Sequence, residues 1–124
     1  RQRPVDFTGV YSYKDKCLKS GIVPVSFVVR NIGKRCIKMR HHYIGGEGVK
    51  PLAEALKVNT VTEYLDLGDN YLESKGACYV ANMMLDNLFI VSLATNEGIN
   101  DLDLSWNCIR GKGALSIIQA LKVM

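Results

Sequence analysis

The sequence predicts an α/β fold: a right-handed β-α horseshoe segment, with a parallel sheet on its concave face and helices on its convex face. Three observations predict it. A motif recurs along the chain, each copy switches from strand to helix periodicity, and a glycine stands at one fixed place in every copy. Tyr64-Leu65-Asp66-Leu67-Gly68-Asp69-Asn70-Tyr71-Leu72 is followed by Gly76. Asp101-Leu102-Asp103-Leu104-Ser105-Trp106-Asn107-Cys108-Ile109 is followed by Gly113. Both read Leu-Asp-Leu-x-x-Asn-x-(Leu/Ile)-x-x-x-Gly. A degenerate copy, Ile37 to Ile44 with Gly48, lies 28 residues before the first full one, with His42 in the place of Asn70.

Taken from the N-terminus, residues 1–33 do not repeat. Val10 to Gly21 reads as a short helix closed by its glycine, and Ser26 to Arg30 as a helical turn. This segment is the expected N-terminal helical cap, since stacked units need an end whose outer side is polar. Residues 34–124 then hold about three units. Within each, alternating apolar residues such as Leu65 and Leu67 suit a strand with one buried face. Leu52, Ala55 and Leu56 follow helical spacing, as do Val80, Met83 and Met84, and Ile117, Ala120 and Leu121. Gly48, Gly76 and Gly113 are placed just ahead of these helices. Strand, turn, helix and strand in 28 residues make a right-handed crossover between parallel neighbours. One such unit cannot bury its own apolar face, so units stack.

The register slips once. The two full copies stand 37 residues apart, nine more than the first spacing. One reading is a nine-residue insertion between Asn87 and Asn100, with Leu88 to Thr95 as a strand-like or looped excursion. The other starts a strand at Ile90 to Thr95 and loses residues afterwards. The insertion is preferred, and the segment near 87–100 is irregular in either case.

These motifs resemble leucine-rich repeats of the ribonuclease-inhibitor type over roughly residues 34–124. The resemblance implies a structural role for Asn70 and Asn107, whose side chains would satisfy backbone groups of the turn and link successive turns. His42 would take that role in the first unit. Tyr13, Cys17, Gly21 to Ser26, Arg30-Asn31, His41-His42, Asp103 to Asn107 and Arg110 to Gly113 are together similar to the leucine-rich repeat-containing protein 74 group. That narrower likeness carries no chemistry to transfer.

Composition narrows the function classes. Hydrophobic residues make up 48% of 124, ordinary for one domain, and no apolar run reaches the roughly 18 residues of a membrane span. The opening Arg1 to Asp6 lacks the pattern of a signal peptide. Arg1 at one end, and Met124 inside an apolar helical pattern at the other, read as a chain cut from a longer one. Residues 1–50 carry 11 Lys/Arg against 3 Asp/Glu, whereas residues 51–124 carry 5 against 9. The basic residues are dispersed and match no nucleic-acid motif, so they read as a solvated cap. Cys17, Cys36, Cys78 and Cys108 form no Cys-x-x-Cys pair. They read as reduced thiols of a cytoplasmic or nuclear protein.

Enzymatic and metal chemistry find little support. Gly45-Gly46-Glu47-Gly48 lacks the Lys-Ser/Thr of a phosphate loop, and no Gly-x-Ser-x-Gly occurs. His41 and His42 with Cys36 are the nearest approach to a metal set, but neighbours on a strand point opposite ways. His41 is expected to be exposed. Asp66 and Asp103 could be imagined as paired carboxylates, but a solvated acidic face explains them better. No cofactor is expected.

Strand alternation selects a binding face. With Leu65 and Leu67 inward, Tyr64, Asp66 and Gly68 face the concave surface, with Asp101, Asp103 and Ser105 in the last unit and Cys36, Lys38 and Arg40 in the first. Asp69 and Trp106 follow at the rim, and an exposed tryptophan has the character of a binding hot spot. The expected function is a monomeric, non-enzymatic scaffold that holds a protein partner on this face, one of basic character given the acidic row. Nucleic acid and membrane are not expected partners. The alternatives are a regulatory module of the small-GTPase-activator kind, or an incomplete fragment of a longer repeat protein.

Overall fold

In the computed structural model, residues 6–93 and 98–123 are described. Helix α1 (Val10–Ser20) and the short α2 (Ser26–Asn31) precede three β-α units. These are β1 (Cys36–Lys38) with α3 (Gly45–Leu56), β2 (Tyr64–Asp66) with α4 (Glu73–Leu93), and β3 (Asp101–Asp103) with α5 (Gly111–Val123). The strands form one parallel sheet in the order β1-β2-β3. Ile37 pairs with Leu65, and Leu65 with Leu102, so the alignment of the three copies is also the register of the sheet. Parallel neighbours need a crossover, and α3 and α4 supply it.

The helices lie side by side, α1 against α3, α3 against α4, and α4 against α5. The core between sheet and helices holds Ile37, Met39, Leu65, Leu67 and Leu72 from the strand side. Leu52, Ala55, Leu56, Val80 and Met83 meet them from the helices. The third unit is less covered: Leu102, Leu104 and Ile117 are only partly buried.

Helix α1 is closed at both ends. The Asp6 carboxylate accepts the N–H groups of Gly9, Tyr11 and Ser12, which the start of a helix leaves unpaired. Gly21, left-handed at φ 69°, donates to the carbonyls of Cys17 and Leu18. The Tyr13 side chain of α1 is buried. Its hydroxyl oxygen accepts the Val25 N–H at 2.9 Å, and burial pushes its pKa up to about 12.

Two expectations are corrected. Gly48, Gly76 and Gly113 do not precede the helices but sit in their first turns. At Gly76 and Gly113 successive helix starts touch. A Cβ on Gly76 would stand 3.1 Å from Gly46 Cα, and one on Gly113 only 2.5 Å from Ser74 Cα. The segment after Asn87 is neither strand-like nor looped as far as it is described, because α4 runs on to Leu93. Residues 94 and 95 lie outside the described residues. The slip therefore behaves as an insertion, with the extra length taken up partly by a 21-residue helix, while β2 and β3 keep the register of β1 and β2.

Candidate protein-binding face

The sheet face opposite the helices is built from alternate strand residues. Cys36 and Lys38 of β1 are exposed, Tyr64 of β2 is half-buried, and Asp101 and Asp103 of β3 are exposed and half-buried. Arg40, just past β1, reaches across all three strands. Its Nε lies 3.3 Å from Asp66 Oδ2, and its Nη2 lies 2.6 Å from Asp103 Oδ2 and 3.0 Å from Ser105 Oγ. The guanidinium lies over Gly68, where a Cβ would come within 2.4 Å of Arg40 Cζ. A flat, permanently charged fork is suited to hold carboxylates from two strands at once.

The acidic row is thus not the solvated face expected from the sequence. Asp66 is 8% exposed, with Oδ1 accepting the Gly68 N–H at 2.8 Å and Oδ2 facing Arg40. Asp103 repeats the turn bond, accepting the Ser105 N–H at 2.9 Å and the Ser105 O–H at 2.7 Å. These Ser105 bonds, and then Arg40, hold the Asp103 carboxyl below the usual carboxylate range. Burial, and then the negative charges of Asp66, Asp103 and Asp101, push the Tyr64 phenol up. Asp101 is the exposed carboxylate of the row, with no cationic partner among the described residues.

Behind this face, asparagines tie the turns together. Asn70 Nδ2 donates to the Met39 carbonyl at 2.7 Å and the Gly68 carbonyl at 3.0 Å, while its Oδ1 accepts the His42 N–H. Asn107 Nδ2 donates to the Leu67, Leu104 and Ser105 carbonyls, and its Oδ1 accepts the N–H groups of Asn70 and Leu72. Both side chains are buried and satisfied, as a buried amide requires. His42 does not act as a third member. It is exposed, and its ring leans on Phe27 of α2 at 4.5 Å between centroids. Among the described residues no earlier strand turn stands beside it to be linked, and the imidazole packs on the N-terminal segment instead.

A second ladder went unassigned in the sequence, although its signal was there: Asn59 and Asn87 recur at 28 residues. Asn59 donates to the Thr8 and Ile32 carbonyls and accepts from Val61 and Thr62. Asn87 donates to the Leu56 and Asn59 carbonyls. These bonds fix the return from each helix to the next strand.

The rim is set by unusual backbone. His41, Asp69 and Trp106 occupy one left-handed position, and Tyr43, Tyr71 and Cys108 another, on either side of His42, Asn70 and Asn107. Non-glycine residues avoid this region at a cost of about 1 kcal/mol or more each. The buried asparagine bonds hold them there. The side chains consequently stand out: Trp106 is 81% exposed, Tyr43 75% and Tyr71 61%. The 28-residue recurrence of Tyr43 and Tyr71 was the sequence signal for this aromatic rim. Asp69 faces His41, with 2.5 Å between Oδ2 and Nδ1. Among the described residues, no group of three or more His, Cys, Asp or Glu side chains converges on one point.

Comparison with known proteins agrees with this architecture. Residues 95–117 match the leucine-rich repeat family. The ribonuclease inhibitor of Mus musculus is 34% identical over 87 residues, which is 69% of this chain and 17% of that protein. Leiomodin-2 of Homo sapiens is 36% identical over 70 residues, 56% of this chain and 11% of that protein. The chain thus spans less than a fifth of the length of these curated relatives. The matches reach the repeat type and not the narrower group that the short motifs resemble.

Proposed function

Because the chain is a leucine-rich repeat protein of the ribonuclease-inhibitor type, we propose that it is a non-enzymatic scaffold holding a protein partner on the open sheet face and its aromatic rim. In this reading the three units are a segment of a horseshoe-shaped solenoid, residues 1–33 cap it, and the open face is its concave side. The observation that carries the proposal is Trp106, a large side chain left 81% exposed beside a polar face on backbone that is costly to maintain. Lys38, Tyr64, Asp69 and Asp101 supply polar contacts around it, while Arg40, Asp66, Asp103 and Ser105 hold one another and keep the face rigid. The mouse relative is, by its name, an inhibitor of a ribonuclease and so acts on another protein. No helix among the described residues is long and apolar enough to cross a membrane. Four free cysteines support a reducing compartment, cytoplasmic or nuclear.

The test is affinity capture with the wild-type chain, the double variant Trp106→Ala, Asp103→Lys, and the helix-layer variant Lys112→Ala as control, each checked for folding by circular dichroism. The partner retained by wild type and control should fall at least tenfold with the double variant. Equal capture by all three refutes the face. A second reading is supported by the small share of its relatives that the chain spans: a longer repeat array binds the partner, and this segment contributes one part of the surface.

A further inference from the structure

Helix α1 carries part of the basic excess of residues 1–50, as Lys14, Lys16 and Lys19. Its one carboxylate, Asp15, faces Lys19 at 3.0 Å. Lys14 and Lys16 have no acidic partner among the described residues. Lys14 borders an apolar groove of about 520 Å³, which Cys17, Leu18 and the turn from Gly21 to Pro24 complete. Cys17 is buried at its floor, whereas Leu18 is 80% exposed and Val23 84%. Tyr11, 56% exposed, continues the α1 face of Lys14 and Leu18 toward the start of the helix. The end of a repeat stack is expected to turn a polar side outward. Here it turns out an apolar strip edged by uncompensated lysines, the pattern of an interaction site.

The groove offers side chains and few backbone bonds. The N–H groups of Gly21, Ile22 and Val25 already donate within the chain, and Pro24 has none. An extended strand would find no ladder to join, whereas the apolar face of a helix needs only the groove. The unpaired lysines call for carboxylates on either side of that face. A lipid surface is selected by clusters of roughly 4–8 basic residues, more than α1 provides. The chain's own beginning is no complement, since Arg1 and Arg3 repeat the charge of Lys14. It also enters α1 at the far end, where the Thr8 carbonyl accepts from Asn59 and the Phe7 carbonyl from the Thr60 N–H. A second copy offers no matching helix: α5 exposes Leu115 and Ile118, but carries Lys112 and Lys122 and no carboxylate.

We propose that the groove between α1 and the turn at Gly21 to Pro24 receives an acidic amphipathic helix of a partner protein. The apolar face of that helix lies on Leu18, Ile22 and Val23, and its carboxylates pair with Lys14 and Lys16. The site stands apart from the open sheet face, so a partner held here is a second one or a second contact with the same one.

The probe is a synthetic helical peptide of about 18 residues, five turns long, with leucines at i, i+3, i+4 and i+7 and glutamates on the other faces. Its counterpart has lysines in place of the glutamates. Both are titrated into the full chain by fluorescence anisotropy, at low and at high salt. The acidic peptide should saturate, bind roughly tenfold more tightly than the basic one, and weaken as salt rises. Lys14→Glu should reverse the preference between the two peptides. Leu18→Ser with Val23→Ser should weaken the acidic peptide roughly tenfold, and Lys112→Ala on α5 should leave it unchanged. Both exposed positions tolerate serine without loss of the fold, which circular dichroism checks. The proposal is overturned if the acidic peptide does not saturate, if the two peptides bind alike, or if the serine variant binds as wild type does. It is also overturned if phosphatidylserine vesicles, and not the peptide, take up the chain. Self-association of the chain on sedimentation that the serine variant abolishes would overturn it too, by making a second copy the occupant. None of these substitutions touches the open face, so the outcome is independent of the scaffold reading.

Discussion

Replacing Asn70 by alanine removes one buried amide that serves three backbone groups: the Met39 and Gly68 carbonyls and the His42 N–H. Their losses are unequal. The Gly68 carbonyl keeps the His41 N–H, and the His42 N–H belongs to an exposed residue that water can reach. The Met39 carbonyl has no second donor among the described residues and is buried with its residue. An orphaned buried carbonyl costs roughly 1–3 kcal/mol, and each of two replaceable bonds about 0.5–1.5 kcal/mol, so the variant should lose about 3 kcal/mol. That is a large share of the 5–15 kcal/mol typical of a folded domain. Asn107→Ala should cost more, because its Oδ1 serves the N–H groups of Asn70 and Leu72, both on fully buried residues. Asn70→Asp should be no more stable than the alanine variant: a carboxylate can still accept the His42 N–H, but it cannot donate to the Met39 carbonyl and sets a negative charge against it. Denaturant unfolding followed by circular dichroism at constant slope measures all three. A loss below about 1 kcal/mol for Asn70→Ala, or the reverse order for the two alanine variants, refutes this account of how the turns are held.

Other expectations follow from single contacts. Gly113→Ala should destabilise more than Gly76→Ala, each in the range of about 1–3 kcal/mol, because the added methyl meets the Ser74 backbone at 2.5 Å in one case and Gly46 Cα at 3.1 Å in the other; denaturation midpoints give the order. Tyr13, raised by burial to about 12, should be the last phenol to ionise on alkaline titration at 295 nm, and Tyr13→Phe should remove that phase. A raised folded pKa means the associated stability is complete below the ordinary tyrosine value of about 10 and is lost as pH climbs through about 12. Asp103 works in the opposite sense: its lowered carboxyl contributes stability above the ordinary carboxylate pKa, lost as pH falls through the lowered value. Ser105→Ala should move the Asp103 titration upward in carbon-detected nuclear magnetic resonance, and an unmoved titration counts against the Ser105 bonds as the leading cause. Trp106→Ala should change stability by no more than about 0.5 kcal/mol, as expected of an exposed side chain; a larger loss on thermal or denaturant unfolding would make Trp106 a packing residue.

The sequence by itself determined the repeat and its register. Leu65 and Leu102 align because one buried face imposes a period of two, and a slip of one residue would turn every leucine to solvent. It also determined the helix faces and the closing glycine of α1, which depend on local periodicity and left-handed geometry. Tertiary structure decided what the polar residues do. Asp66 and Asp103 read as a solvated row because nothing local announces that Arg40, 26 and 63 residues away, lies across them. His42 held the place of an asparagine in the pattern, yet that place has a role only where a preceding turn needs linking. Gly76 and Gly113 are explained by the neighbouring helix, not by their own backbone. The extra nine residues could have been strand, loop or helix by pattern alone. In the structure α4 runs on to Leu93, while pairing with β2 keeps the third strand in step with the second.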